Sequence, residues 1–153
     1  MPEQQLLLQA ETVIETDMKH LVQWFMDLKD HPENYAFASH QGFFFTSGDF
    51  GEVGARFYTL ERFHGLPLKL SFQLSGISDT SFTFDLLKPL SHIQGAFAMH
   101  AQSPQETRLT LSVSTNSDFV RQLFKLPLLR SAIQNQIDAE VRHIKSRVEN
   151  SGS

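Results

Sequence analysis

One apolar stripe near the C-terminus limits the folds open to this chain more than any other feature. Leu129, Ile133, Ile137, Val141, Ile144 and Val148 follow one another at spacings of four and three. That repeat lines side chains up on one face of an α-helix. At 1.5 Å per residue the stretch after Pro127 reaches roughly 30 Å, enough to lie across a whole sheet. A helix of that length with one apolar face needs a broad apolar partner. Pro127 either kinks a helix that begins at DFVRQLFKL, capped by Asn116 or Ser117, or opens a new one.

The partner stands ahead of the stripe. Strand-like runs recur about every ten residues, at 41–47, 53–63, 67–75, 81–88, 93–102 and 107–114. Between them lie SGDFG, HGLP, SGISD, KPLS and SPQE, each with turn-forming Gly, Pro, Ser or Asp. Alternation assigns an inner face: Phe57 and Phe63; Leu68, Leu70, Phe72 and Leu74; Phe82, Phe84 and Leu86; Phe97 and Met99; Leu109, Leu111 and Val113.

Gln5 to Ile14 alternates in the same way and supplies a first strand. Two short helices follow it. One carries Met18, Leu21, Val22, Phe25 and Leu28 behind a Thr16 or Asp17 cap, and the other, PENYAFA, starts at Pro32. The order predicts an α+β chain: a curved antiparallel seven-stranded sheet, two short helices, and a long C-terminal helix over the open apolar face.

Composition sets outer limits on function. The length of 153 residues suits one domain, read as 1–149, with 150–153 as a flexible tail. A net charge of −4 without any Lys/Arg cluster argues against nucleic acid as a partner. With no cysteine there is no disulfide, no thiolate nucleophile and no Cys-based metal site. The start, MPEQQLLLQAE, has an acid before its short apolar run and does not read as a signal peptide. No run of eighteen apolar residues suggests a transmembrane segment, so a cytoplasmic location is the default expectation. Nothing in the pattern sets an oligomeric state. Fourteen Phe, against one Trp and two Tyr, serve either as core or as the wall of an apolar pocket.

The order and spacing of these runs resemble the START/SRPBCC superfamily, the helix-grip fold shared with plant ligand-binding proteins of the pollen-allergen type. The resemblance extends from about Gln5 to Glu149. It rests on the first helix followed by DHPENY, the hairpin GDFGEVGARF, the GLPL turn and the closing IDAEVRHIKSRVE. It implies a lipid, sterol, polyketide or other hydrophobic molecule held between helix and sheet. Some members are polyketide cyclases, dehydratases or aromatases, and their catalytic residues differ, so the resemblance assigns none here.

The glycines at 48, 51 and 54 read GxxGxxG. A dinucleotide loop needs GxGxxG before a helix, and a P-loop ends in Lys and Ser or Thr. Here a strand follows, so the segment reads as a hairpin. Phe43 and Phe45 then share one face and Phe44 takes the other. Such aromatics suit either a cavity entrance or ordinary edge packing.

The expected ligand-binding residues are Phe25, Phe57, Thr59, Glu61, Phe63, Phe72, Phe84, Phe97, Met99, Ile133, Ile137, Glu140 and Val141. Glu61 and Glu140 fall among apolar neighbours by parity and helical angle. Each is either a polar anchor or acid/base for a bound molecule, or a rim residue. In the rim case Glu61 turns outward beside Arg56 or Arg62, and Glu140 pairs with Arg147. The seven histidines form no metal-ligand spacing, and are read as scattered surface or capping residues. No metal and no cofactor are expected.

Three functions remain open at this point. The first is binding or transport of a small hydrophobic ligand, the partner this resemblance implies. The second is a polyketide cyclase or dehydratase type of enzyme in the same cavity. The third is an interaction module whose cavity its own Phe side chains fill. Convergent polar groups inside favour the enzyme, and a wholly apolar lining favours binding.

Overall fold

Period-two alternation along seven runs builds a single antiparallel sheet in the computed structural model. The strands are β1 (Gln5–Ile14), β2 (His40–Ser47), β3 (Arg56–Phe63), β4 (Leu66–Ser78), β5 (Ser81–Lys88), β6 (Ile93–Ser103) and β7 (Glu106–Thr115). Their spatial order is β1-β7-β6-β5-β4-β3-β2. Chain neighbours pair from β2 to β7, and β1 joins at the far edge beside β7. Residues 3–37, 40–63 and 65–151 are described, without the side chains of Phe63 and Ser151. The expectations for the Phe63 side chain and for His64 lie outside the described residues.

The helical segments have readable ends. Asp17 caps α1 (Met18–Met26), its side chain accepting from the His20 amide at 2.6 Å. Two 3₁₀ turns follow, at 27–29 and at 32–35, the second opened by Pro32. Ser117 caps α2 (Asp118–Leu123). Pro127 opens the long α3 (Pro127–Ser151) rather than kinking a longer helix, and α3 continues beyond Val148.

Three polar ties fasten α3 to the β1 edge. Gln134 Nε2 donates to the Gln9 carbonyl at 3.0 Å, Lys145 Nζ to the Val13 carbonyl at 2.7 Å, and the Glu15 amide to Glu149 at 2.8 Å. The apolar stripe does the rest: Ile137, Val141, Ile144 and Val148 are all buried. The helix therefore lies in the curl of the sheet.

The concave side is divided along its length. At one end Phe25 of α1 and Phe50 of the β2–β3 connection pack on Phe82 and Phe97, with ring centroids 4.9–5.8 Å apart. Each such buried ring contributes about 1.5–3 kcal/mol. Phe43 and Phe45 point into this side, while Phe44 lies on the other face against Tyr58 at 5.2 Å. Gly48 and Gly54 take positive φ in the connecting turn, as a hairpin requires. Phe45 sits against Phe50 and Phe57 and Phe43 lines the cavity, so these two rings serve as core and wall.

Among the described residues, no helix is long and apolar enough to cross a membrane.

Candidate functional site

Where α1 and Phe50 stop filling the concavity, a cavity of about 280 Å³ opens between α3 and the sheet. Its wall is mostly Phe, Leu, Ile and Val, from β4, β5, β6, β7 and α3. The polar side chains in the wall are Tyr35, Glu61, Gln136 and Glu140. They converge, and local sequence explains how.

Strand register brings the first pair together. His40, the first residue of β2, stands opposite Glu61 of β3. The register then slips before Phe43, around Gly42. Gly42 sits at φ +119°, and a Cβ there would lie 2.5 Å from the Pro32 carbonyl oxygen. Only glycine lets the strand pass the 3₁₀ turn this closely. Thr59 and Glu61, two apart on β3, share a face, and the Thr59 hydroxyl donates to Glu61 Oε2 at 2.7 Å.

The helix supplies the second pair. Gln136 and Glu140 are one turn apart on α3. Gln136 Nε2 donates to Glu61 Oε1 at 3.3 Å. Glu140 Oε1 lies 3.1 Å from His40 Nε2, and Glu61 Oε2 lies 3.9 Å from the same nitrogen. All three ionisable side chains are buried: His40 is 1% exposed, Glu61 7% and Glu140 8%. Tyr35 closes the group, its ring centroid 4.6 Å from that of His40 and 4.3 Å from Phe43. Its hydroxyl is fully buried and has no hydrogen-bond partner among the described residues.

This environment redistributes protons. Burial, then the charge of Glu140, pushes Glu61 up to about 7, against the smaller pull of His40, Thr59 and Gln136. Burial, with Glu140 and Glu61 adding to it, holds the Tyr35 phenol well above its ordinary value, so the hydroxyl stays a donor. For His40, burial works to lower the value. The Glu140 hydrogen bond and the charges of Glu140 and Glu61 together outweigh it, and the net direction is upward.

The Gly42 amide donates to His40 Nδ1 at 3.2 Å. The neutral ring therefore carries its hydrogen on Nε2, aimed at Glu140.

The donor atoms of His40, Glu61 and Glu140 lie within 4.8 Å of one another, a set and spacing of the kind that holds a divalent metal. The hydrogen bonds favour a proton network instead. A metal on Nε2 needs the ring hydrogen on Nδ1 with an acceptor beyond it, and the Gly42 amide offers a donor there.

The placement of the expected site residues is uneven. Phe72, Phe84, Phe97, Ile133, Ile137, Glu61 and Glu140 line the cavity. Phe25, Phe57, Met99 and Val141 are buried but do not line it, and Thr59 acts behind Glu61. Parity reports which side of a sheet a residue takes, and it does not report whether α1 and Phe50 already cover that spot. Neither carboxylate turns out to an arginine at the rim.

His40 is a correction to the reading of all histidines as surface or capping residues, since it is buried at the centre of the polar group. Tyr35 and Gln136 also escaped the sequence reading. Gln136 carried a usable signal, one helical turn before Glu140. Tyr35 and His40 had none, because their places depend on the 3₁₀ turn and on the slip at Gly42.

No family model and no curated protein matches the chain. Solved structures do match over nearly all of it. The Zhui aromatase/cyclase from a Streptomyces strain aligns with a TM-score of 0.75 at 9% identity, covering 99% of this chain and 97% of that one. A norcoclaurine synthase point mutant from Thalictrum flavum, in complex with a transition-state analogue, gives 0.72 at 10% identity, with 100% and 99% covered. A Thermus thermophilus protein, TTHA0849, gives 0.69 at 13% identity, with 99% and 100% covered. At such identities the likeness speaks for architecture, and it agrees with the strand order and the gripped helix described above. The chain has the helix-grip fold.

Proposed function

We propose that this protein binds a small, mainly apolar and uncharged molecule, with its apolar body among the Phe and Leu side chains and its polar group against Tyr35, Glu61, Gln136 and Glu140. One observation carries this reading: the cavity is apolar except at one end, where every polar lining side chain gathers. At about 280 Å³ it lies at or below the small end of the roughly 300–1,000 Å³ range of ligand pockets. That size favours a compact ring compound or one short chain over a two-chain lipid. Among the described residues, no Lys or Arg lines the cavity. A ligand carboxylate would lose its water beside Glu140 and gain no counter-charge, so anionic fatty acids fit poorly.

A second reading, an enzyme of the cyclase or dehydratase kind, is favoured by Glu61 itself. A carboxyl group poised near neutral pH inside a ligand cavity suits general acid–base work.

Native mass spectrometry of the purified protein, followed by solvent extraction, tests the binding reading. The expected result is a retained neutral adduct, or uptake of one from a panel of uncharged aromatics. An apo mass that stays clean across neutral aromatics, sterols and lipids would contradict it, and would leave a cavity that no ligand uses.

A further inference from the structure

We propose that the polar end of the cavity is a proton-transfer site for an uncharged ketone, in which the Tyr35 hydroxyl holds the carbonyl oxygen and Glu61 exchanges the proton on the adjacent carbon. The inference rests on the cavity being a ligand site, and it names both the substrate class and the reaction class. Three observations lead to it.

First, Tyr35 is fully buried, lines the cavity, and has a hydroxyl without a partner among the described residues. Buried donors are almost always satisfied, so this one is matched to an acceptor that arrives with the ligand. An ammonium group offers no lone pair, and a carboxylate meets Glu140. A carbonyl oxygen meets both conditions.

Second, a carboxylate stands in the same wall, held from both sides. Thr59 fixes Glu61 Oε2 and Gln136 fixes Oε1. Each oxygen keeps a lone pair for a carbon-bound proton.

Third, the neighbouring groups poise Glu61 for both halves of the exchange. Glu140 faces it from α3 and His40 from β2, with His143 beyond. His40 holds Glu140, and burial together with the Glu140 charge keeps Glu61 basic enough to take a proton and acidic enough to return it.

The step balances within these groups. The ionised Glu61 takes the proton from the carbon next to the carbonyl. The C–H electron pair becomes a C=C bond, and the carbonyl π pair moves to oxygen, where the Tyr35 hydroxyl stabilises the enolate. Glu61 then trades that proton with solvent and delivers a solvent-derived one to the carbon, which gives exchange, or passes the proton to oxygen, which gives the enol. No oxidant or reductant is consumed. Glu61 is the catalytic residue in this scheme and Tyr35 touches the substrate; Thr59, Gln136, Glu140 and His40 position them.

The test is deuterium exchange into β-tetralone, a compact apolar ketone, followed by proton NMR in heavy water. Saturation-transfer NMR on the same samples reads binding, with tetralin as the hydrocarbon control. The expected result is exchange at the carbons flanking the carbonyl well above the buffer rate. In E61Q it falls about 100-fold or more with binding kept, and in Y35F about tenfold or more. Should E61Q not fold, E61D decides: it withdraws the carboxylate by one methylene, so exchange falls while binding stays.

A ketone that binds but exchanges at the buffer rate, or equal exchange in wild type and the Glu61 variants, overturns the inference and leaves the binding reading standing. If neither β-tetralone nor tetralin binds, both fall together.

Discussion

The Nε2 atom of His40 lies 3.1 Å from Oε1 of Glu140, which ties the first residue of β2 to the middle of α3 inside the apolar interior. Burial, and then the charge of Glu140, holds Glu61 up at about 7 against the smaller pull of His40. One strand register and one helix face thus produce a carboxyl group that titrates near neutral pH.

Stability should fall as pH rises through the neutral range because of Glu61. Its folded value, about 7, lies above its ordinary one, so the folded state holds more protons than the unfolded state between them. The contribution is fully present below the ordinary carboxyl range and is lost as pH climbs through about 7. Its size is on the order of 1–3 kcal/mol. Urea midpoints at about pH 5 and about pH 8 should differ in wild type and move much closer together in E61Q. An unchanged pH response in E61Q contradicts the assignment.

Replacing Tyr35 by Phe should separate stability from recognition. The hydroxyl is buried without a partner among the described residues, so Y35F removes an unsatisfied donor and should leave the free protein as stable or more stable, by up to about 1 kcal/mol. The same change should weaken ketone binding severalfold and leave hydrocarbon binding intact. Denaturation and ligand titration on one preparation check both halves.

Gly95 sets the room available above β6. A Cβ there would meet Phe84 Cε2 at 2.3 Å, and both residues line the cavity. Gly95→Ala should push the Phe84 ring into the open space, costing about 1–3 kcal/mol through overpacking. Ligand uptake should drop with it. Thermal melts and a binding assay would show the two losses together, and a stable variant with full uptake would mean that Phe84 has another way to turn.

Gly42→Ala should strike the polar group from behind. The new Cβ would collide with the Pro32 carbonyl, and φ +119° strains any side chain. The amide that holds His40 Nδ1 would shift. Nitrogen-15 spectra of the histidines should show His40 as the Nε2–H tautomer in wild type, and lose that signature in G42A.

What the sequence disclosed followed from how local each signal was. β5 has the bounds its alternation predicted, and α3 buries Ile137, Val141, Ile144 and Val148 as their spacing required. Glu61 and Glu140 are visible as carboxylates among apolar residues because parity and helical angle are local properties. His40 is different, since its place beside Glu61 is a pairing across β2 and β3 set by the irregularity at Gly42. Tyr35 likewise owes its burial to contacts with His40 and Phe43 beyond its own 3₁₀ turn. Phe25 and Met99 show a further limit. The apolar face each belongs to could be read, but the depth to which α1 fills the concavity is a property of the assembled core.

The most direct test of the central claim is a methyl-labelled NMR titration with three matched compounds: β-tetralone, tetralin and a tetralin carboxylate. Ile93, Ile133 and Ile137 line the cavity and report its occupation. Shifts at these methyls are expected for the ketone, weaker ones for the hydrocarbon, and the weakest for the carboxylate. Preferred binding of the carboxylate, or shifts away from these methyls for all three, would contradict an uncharged ligand held with its polar group at Tyr35 and Glu61.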